Sequence, residues 1–180
     1  MTPSGWHEDA QSRDAGHDEM QAGVYRFMES KWQKRLEKTE YNKTAVYERA
    51  GIYFECPFYK DGRIVTFIDV CVTFAKLRDE KQLGGHKNII FCYEIKPRIY
   101  SVGATIRQCR ATKHAVLTGS FYRQNGQWGS SRDETPEVHV SPVVPYDDPK
   151  LDLLAEFWPM VATWNATTET CDWHRRSADR

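Results

Sequence analysis

Three charged side chains lie in stretches of this sequence where charge is costly: Asp69, Glu94 and Lys96. Glu94 and Lys96 belong to NIIFCYEIKPRIY, whose β-branched and aromatic residues on both parities predict a strand over Ile89–Lys96, ended by Pro97. Alternation places Ile90, Cys92, Glu94 and Lys96 on one face and Ile89, Phe91, Tyr93 and Ile95 on the other. Charges within a sheet must pair, bind metal or reach solvent. On these two residues alone, a salt-bridged strand end running into water explains the pattern as well as a site does. Asp69 lies in RIVTFIDVCVTF, read as a central strand over Arg63–Phe74 behind a Lys60-Asp61-Gly62 turn. It shares the face of Val65, Phe67 and Cys71, opposite Ile64, Ile68, Val70, Val72 and Phe74. Left unpaired, it costs roughly a few kcal/mol. If the two strands are neighbours, Asp69 and Glu94 can share a divalent cation with Lys96 beside it. Two carboxylates and a backbone carbonyl such as that of Ile95 are hard oxygen ligands of the kind Mg²⁺ or Mn²⁺ takes.

Asp69, then Glu94-x-Lys96, then a helix carrying Gln108 resembles the PD-(D/E)xK nuclease superfamily, in the branch where the ExK strand leads through a loop to a Gln-bearing helix (EIKPRIYSVGATIRQCR). The resemblance spans roughly residues 45–117. It implies a restriction-endonuclease-like α/β fold: a mixed central sheet of four or more strands flanked by helices. It also implies metal-dependent hydrolysis of phosphodiester bonds. Asp69 and Glu94 would then be metal ligands, Lys96 would position or activate the attacking water or stabilise developing charge, and Gln108 would match the auxiliary helical residue. Glu48 would be the acid such proteins often carry on the helix before the sheet. Two departures stand out. Ile68 precedes Asp69, so the Pro-Asp pair is absent, and four residues after Gln108 stands Thr112, where this branch often has Tyr.

The elements that must position these residues follow from periodicity. From Asp18, apolar residues at Met20, Val24, Phe27/Met28, Trp32 and Leu36 form one helical stripe, and a helical reading resumes through Val46 and Ala50 to Gly51, with Glu48 in its last turn. Gly51–Tyr59 reads as the first strand, with Pro57 marking an edge or bulge and Glu55 a competing acid. Ala75–Asn88 reads as a loop near the carboxyl end of the Asp69 strand, where His86 and Lys87 could touch substrate. Gly103–Leu117 reads as a helix with a core stripe of Val102, Ile106, Cys109 and Val116. Gln108 falls nearly opposite, beside Ala104, Ala111 and Ala115. Ala115–Tyr122 and Glu137–Val144 have strand character. Asp148-Pro149 signals a helix start, and Leu151, Leu154, Phe157, Trp158 and Val161 give that helix an apolar face interrupted by Pro159.

The 25 basic and 25 acidic residues cancel, yet between Ile95 and Arg123 there is no acid. That stretch carries Lys96, Arg98, Arg107, Arg110, Lys113 and Arg123, which suits a phosphate backbone; Arg98, Arg107, Arg110 and Lys113 are the candidate nucleic-acid contacts, with DNA the expected partner. The 180 residues predict one domain over 18–164, between polar tails at 1–17 and 165–180. No apolar run approaches membrane-spanning length. The five cysteines are scattered without a Cys-x-x-Cys, which fits a cytoplasmic or other reducing compartment, and the six histidines have no zinc-ligand spacing. Phosphate-loop, nucleophile-elbow and His-Glu-x-x-His motifs are absent. The rival expectation is a catalytically inactive nucleic-acid- or protein-binding module of the same fold. The 20–36 and 151–164 segments either pack on the core or form a homodimer contact.

Overall fold

The computed structural model describes residues 15–41, 47–60, 63–77, 86–118, 120–123, 126–127 and 136–175. Met20, Val24, Met28 and Trp32, spaced four apart, are buried along one side of helix α1 (Ala15–Tyr41). They pack against Val70, Val72, Tyr93, Ile95, Val143, Ala162 and Trp164 of a central sheet. The expected stripe thus closes one face of the core within the chain.

Eight strands form that sheet: β1 (Tyr47–Lys60), β2 (Arg63–Leu77), β3 (His86–Ile95), β4 (Ser120–Arg123), β5 (Gly126–Gln127), β6 (Glu137–Pro145), β7 (Met160–Asn165) and β8 (Thr170–Arg175). Their order is β5-β4-β1-β2-β3-β6-β7-β8, so six longer strands continue from a short edge pair. The β3–β6 and β6–β7 pairs are parallel, and the other neighbours are antiparallel. Parallel neighbours need a crossover. Helix α2 (Val102–Thr118) lies in the first, and the seven-residue α3 (Leu151–Phe157) in the second. Cys109 and Val116 of α2, with Leu151 and Leu154 of α3, cover the face opposite α1 over Cys56, Phe58, Ile68, Cys71 and Cys92. This is an α/β architecture with a mixed sheet between helices. Among the described residues no helix is long and apolar enough to cross a membrane, and all five cysteines are free and buried.

Several expectations are corrected. Residues 47–50 are strand, because β1 pairs with β2 from Tyr47↔Lys76 onward; Glu48 therefore lies in β1, not in a helical last turn, and its side chain is outside the described residues. Gly51 is no helix stop. A Cβ there would collide with the Tyr53 ring, which needs that close approach to the backbone. Both ends of the expected Ala75–Asn88 loop are strand, since β2 reaches Leu77 and β3 starts at His86; residues 78–85 lie outside the described residues. Residues 115–118 stay helical because Val116 extends the buried Thr105, Cys109 and Thr112 row by one turn. The helix after Pro149 ends at Phe157. Pro159 forces the preceding Trp158 into extended backbone (φ −120, ψ 133), and β7 follows. Nor is 165–175 a tail: the Asn165 side chain accepts the Thr167 and Thr168 amides at 2.9 and 3.2 Å, turning the chain into β8.

Candidate active site

The site forms where two neighbouring strands part. The β2–β3 ladder runs from Leu77↔His86 to Val70↔Tyr93 and stops one residue short of Asp69 and Glu94. Backbone groups freed at such a fork need new partners. The Ile95 amide donates to Asp69 Oδ2 at 2.7 Å, and the Asp69 carbonyl accepts Gln21 Nε2 from α1 at 3.0 Å. In extended backbone a residue's amide and carbonyl point the same way, so the Ile95 carbonyl is directed to the Asp69 side as well. The next amide, of Lys96, turns to the other neighbour and donates to Val143 O at 2.8 Å.

The fork also disturbs β1 and β2. Glu55, facing Asp69 between the Phe54↔Val70 and Cys56↔Ile68 pairs, has a left-handed φ of 47, costly by about 1–3 kcal/mol for a non-glycine residue. Ile68 belongs to the core cluster of Cys71, while Val70 and Val72 belong to the α1 side. Strict alternation, which grouped Ile68 with Val70, therefore fails at the position of Asp69.

Glu94 is 2% exposed, on the face of Cys92 beneath α2. Its Oε1 accepts the Thr112 hydroxyl at 2.8 Å and its Oε2 accepts Gln108 Nε2 at 2.9 Å. These donors sit four residues apart, one turn along the same helical face. Lys96 Nζ is 3.9 Å from Oε2. The Glu94 pKa is pushed up to about 7, first by burial and then by the negative charge of Asp69, against the opposing pull of Lys96, Thr112 and Gln108. From the far face, α1 brings His17 Nε2 to 3.7 Å from Asp69 Oδ2.

Asp69, Glu94, Lys96 and Gln108 are thus grouped around one strand end, joined by Thr112, His17 and Gln21. Thr112 had a signal, its spacing of four from Gln108. His17 and Gln21 had none, since only tertiary packing brings α1 to Asp69. Three candidate residues lie on backbone away from this group. Glu48 is seven positions from Glu55 along β1, about 24 Å at strand rise. His86 and Lys87 lie at the opposite end of the β2–β3 ladder from Glu94, and their side chains are outside the described residues. Arg98, Arg107, Arg110 and Lys113 are exposed, the last three on α2.

Among the described residues no group of three or more His, Cys, Asp or Glu side chains is arranged to hold a metal ion. Asp69, Glu94 and the Ile95 carbonyl are hard-oxygen donors, and the Asp69 charge pushes the Glu94 pKa up. Such a set fits Mg²⁺, which binds through one or two carboxylates and keeps several waters. No family model matches the chain, and no curated protein or solved structure matches it.

Proposed function

We propose that this protein is a divalent-metal-dependent nuclease of the PD-(D/E)xK kind, with a restriction-endonuclease-like sheet, that hydrolyses phosphodiester bonds of nucleic acid, DNA foremost. The observation that carries this reading is a Glu94 carboxylate buried beside a strand fork whose other side carries Asp69, with Lys96 Nζ 3.9 Å from it. Asp69, Glu94 and the Ile95 carbonyl would hold Mg²⁺ or Mn²⁺, and the bound ion would supply a water activated at neutral pH. Lys96 presents positive charge where negative charge grows on the phosphate in the transition state. Gln108 and Thr112 fix the Glu94 carboxylate. Five free cysteines suit a reducing compartment.

A panel of single-stranded, duplex and branched DNA and RNA, incubated with Mg²⁺, Mn²⁺ or chelator, tests the reading. Cleavage should require the metal, and Lys96→Ala should slow it by about 10²–10³-fold. Asp69→Asn should abolish cleavage through loss of metal. Metal-free melting of Asp69→Asn should match the parent or exceed it, while Lys96→Ala should stay folded but melt lower at neutral pH, because it removes a cation 3.9 Å from the buried Glu94 carboxylate. Parent-like turnover in either variant would mean these residues are not the engine. The rival reading, a binding module with a structural charge cluster, is favoured by one fact: both Glu94 oxygens already accept protein hydrogen bonds. It requires binding that persists without metal and survives Asp69→Asn.

A further inference from the structure

The short link from the site strand to the site helix, residues 96–101, presents an aromatic ring to water on a fixed support. Tyr100 is 74% exposed, the most exposed large hydrophobic side chain among the described residues. The backbone beneath it is held from three directions. Ile99 is 1% exposed and its amide donates to Asp148 Oδ2 at 2.8 Å. Lys150 Nζ donates to the Tyr100 carbonyl at 2.6 Å. Ser101 begins α2, with its Oγ accepting the Ala104 amide at 3.3 Å and its carbonyl the Thr105 amide at 3.0 Å. The Arg98 guanidinium lies 5.6 Å from the Tyr100 ring centroid. Asp148 uses both carboxylate oxygens on backbone amides, those of Ile99 and Lys150. Tyr100 is four steps along the chain from Lys96, so their Cα atoms are at most about 14 Å apart.

From this geometry we infer that Tyr100, flanked by Arg98 and Lys150, is a stacking platform for an unpaired base of a single-stranded nucleic acid, a few nucleotides from the bond held at Glu94 and Lys96. A rigid exposed ring loses little entropy when a base stacks on it, and the neighbouring cations meet the phosphates on either side. Paired bases in a duplex do not offer that face. The substrate class is therefore a single strand or a frayed end. The proximity to a cleaved bond rests on the nuclease reading; the stacking itself does not.

The test is fluorescence anisotropy on the full chain, with Ca²⁺ in place of Mg²⁺. The probes are a short oligothymidylate, an abasic strand of equal length and a blunt duplex, with an oligouridylate run in parallel. Tyr100→Ala should weaken binding of the base-bearing strand by about tenfold, and Tyr100→Trp should restore it, while affinity for the abasic strand and the duplex changes by less than about twofold. The larger loss, on thymidylate or on uridylate, identifies DNA or RNA as the partner. Unchanged single-strand affinity in Tyr100→Ala overturns the inference, as does an equal loss on the abasic strand. Absence of nucleic-acid binding by the parent overturns it together with the nuclease reading. Tyr100-dependent binding in a parent that cleaves nothing under Mg²⁺ or Mn²⁺ supports the platform and removes the nuclease alone.

Discussion

Replacing Glu94 by Gln should make the metal-free protein more stable at pH 8, although it alters a fully enclosed hydrogen-bonded side chain. The carboxyl's pKa rises from 4.5 to about 7 on folding, driven by burial and by Asp69. Between those values the folded state holds a proton that the unfolded chain has released, so stability falls as pH rises through that window. The contribution is complete below about pH 4.5 and gone above about pH 7, and the full difference is worth about 3 kcal/mol. That is a large fraction of a typical stability of about 5–15 kcal/mol. Gln can keep both contacts: its oxygen accepts from Gln108, and its amide donates to the Thr112 hydroxyl, which can accept as well as donate. The charge disappears and the hydrogen bonds stay.

Urea denaturation in chelator, at pH 5 and pH 8, measures this directly. The parent's midpoint should drop between the two by about 1 M more than that of Glu94→Gln, taking a slope of about 2 kcal/mol per M. The difference between the two sets of curves reports Glu94 together with its coupling to Asp69 and Lys96. Parallel curves, or a variant less stable than the parent at pH 8, would refute the claim that the buried carboxylate is repelled there.

Three further outcomes follow from the same structure. Millimolar Mg²⁺ should raise the melting temperature at pH 8 and do so much less at pH 5, where a proton on Glu94 competes with the ion; a calorimetric scan at both pH values checks it. Arg107→Ala with Arg110→Ala should lower the slope of log K against log salt by about 1 to 2, because two exposed cations on α2 would no longer displace counterions; an unchanged slope takes that helix off the nucleic-acid surface. Gly23→Ala should destabilise by about 1–3 kcal/mol in urea titration despite favouring helix by about 1 kcal/mol, because the added Cβ would lie 2.5 Å from Trp164 Cζ2, an atom of a rigid, buried ring.

How much could be read in advance depended on the range of the interaction involved. The β3 alternation and the α2 stripe are local patterns, and they placed Glu94 and Gln108 correctly relative to their own elements. Thr112 was a one-turn step from Gln108, yet as a departure from a family pattern it drew attention to the missing Tyr and away from its own hydroxyl. Glu48 was misplaced because Tyr47–Ala50 has no strand signal of its own; it becomes strand through pairing with the end of β2, a tertiary override of weak local propensity. Asp69 is the instructive case. Strict alternation put it on the Cys71 face, where only a shared ion or a neighbouring charge could justify it. The fork supplies another reason: its carboxylate stands in for the backbone acceptor that the Ile95 amide lost when the ladder ended. An Asp in that role is needed by the backbone whether or not an ion binds, so its presence on a strand is weak evidence for catalysis. Glu94 is different. Its backbone ladder to β6 is intact at Glu94↔Pro142 and Ile95↔Val143, and burial together with the Asp69 charge disfavours its ionised form in the fold. A residue that the backbone does not require and that stability opposes is the stronger pointer to function, so Glu94, more than Asp69, separates the nuclease from the binding module.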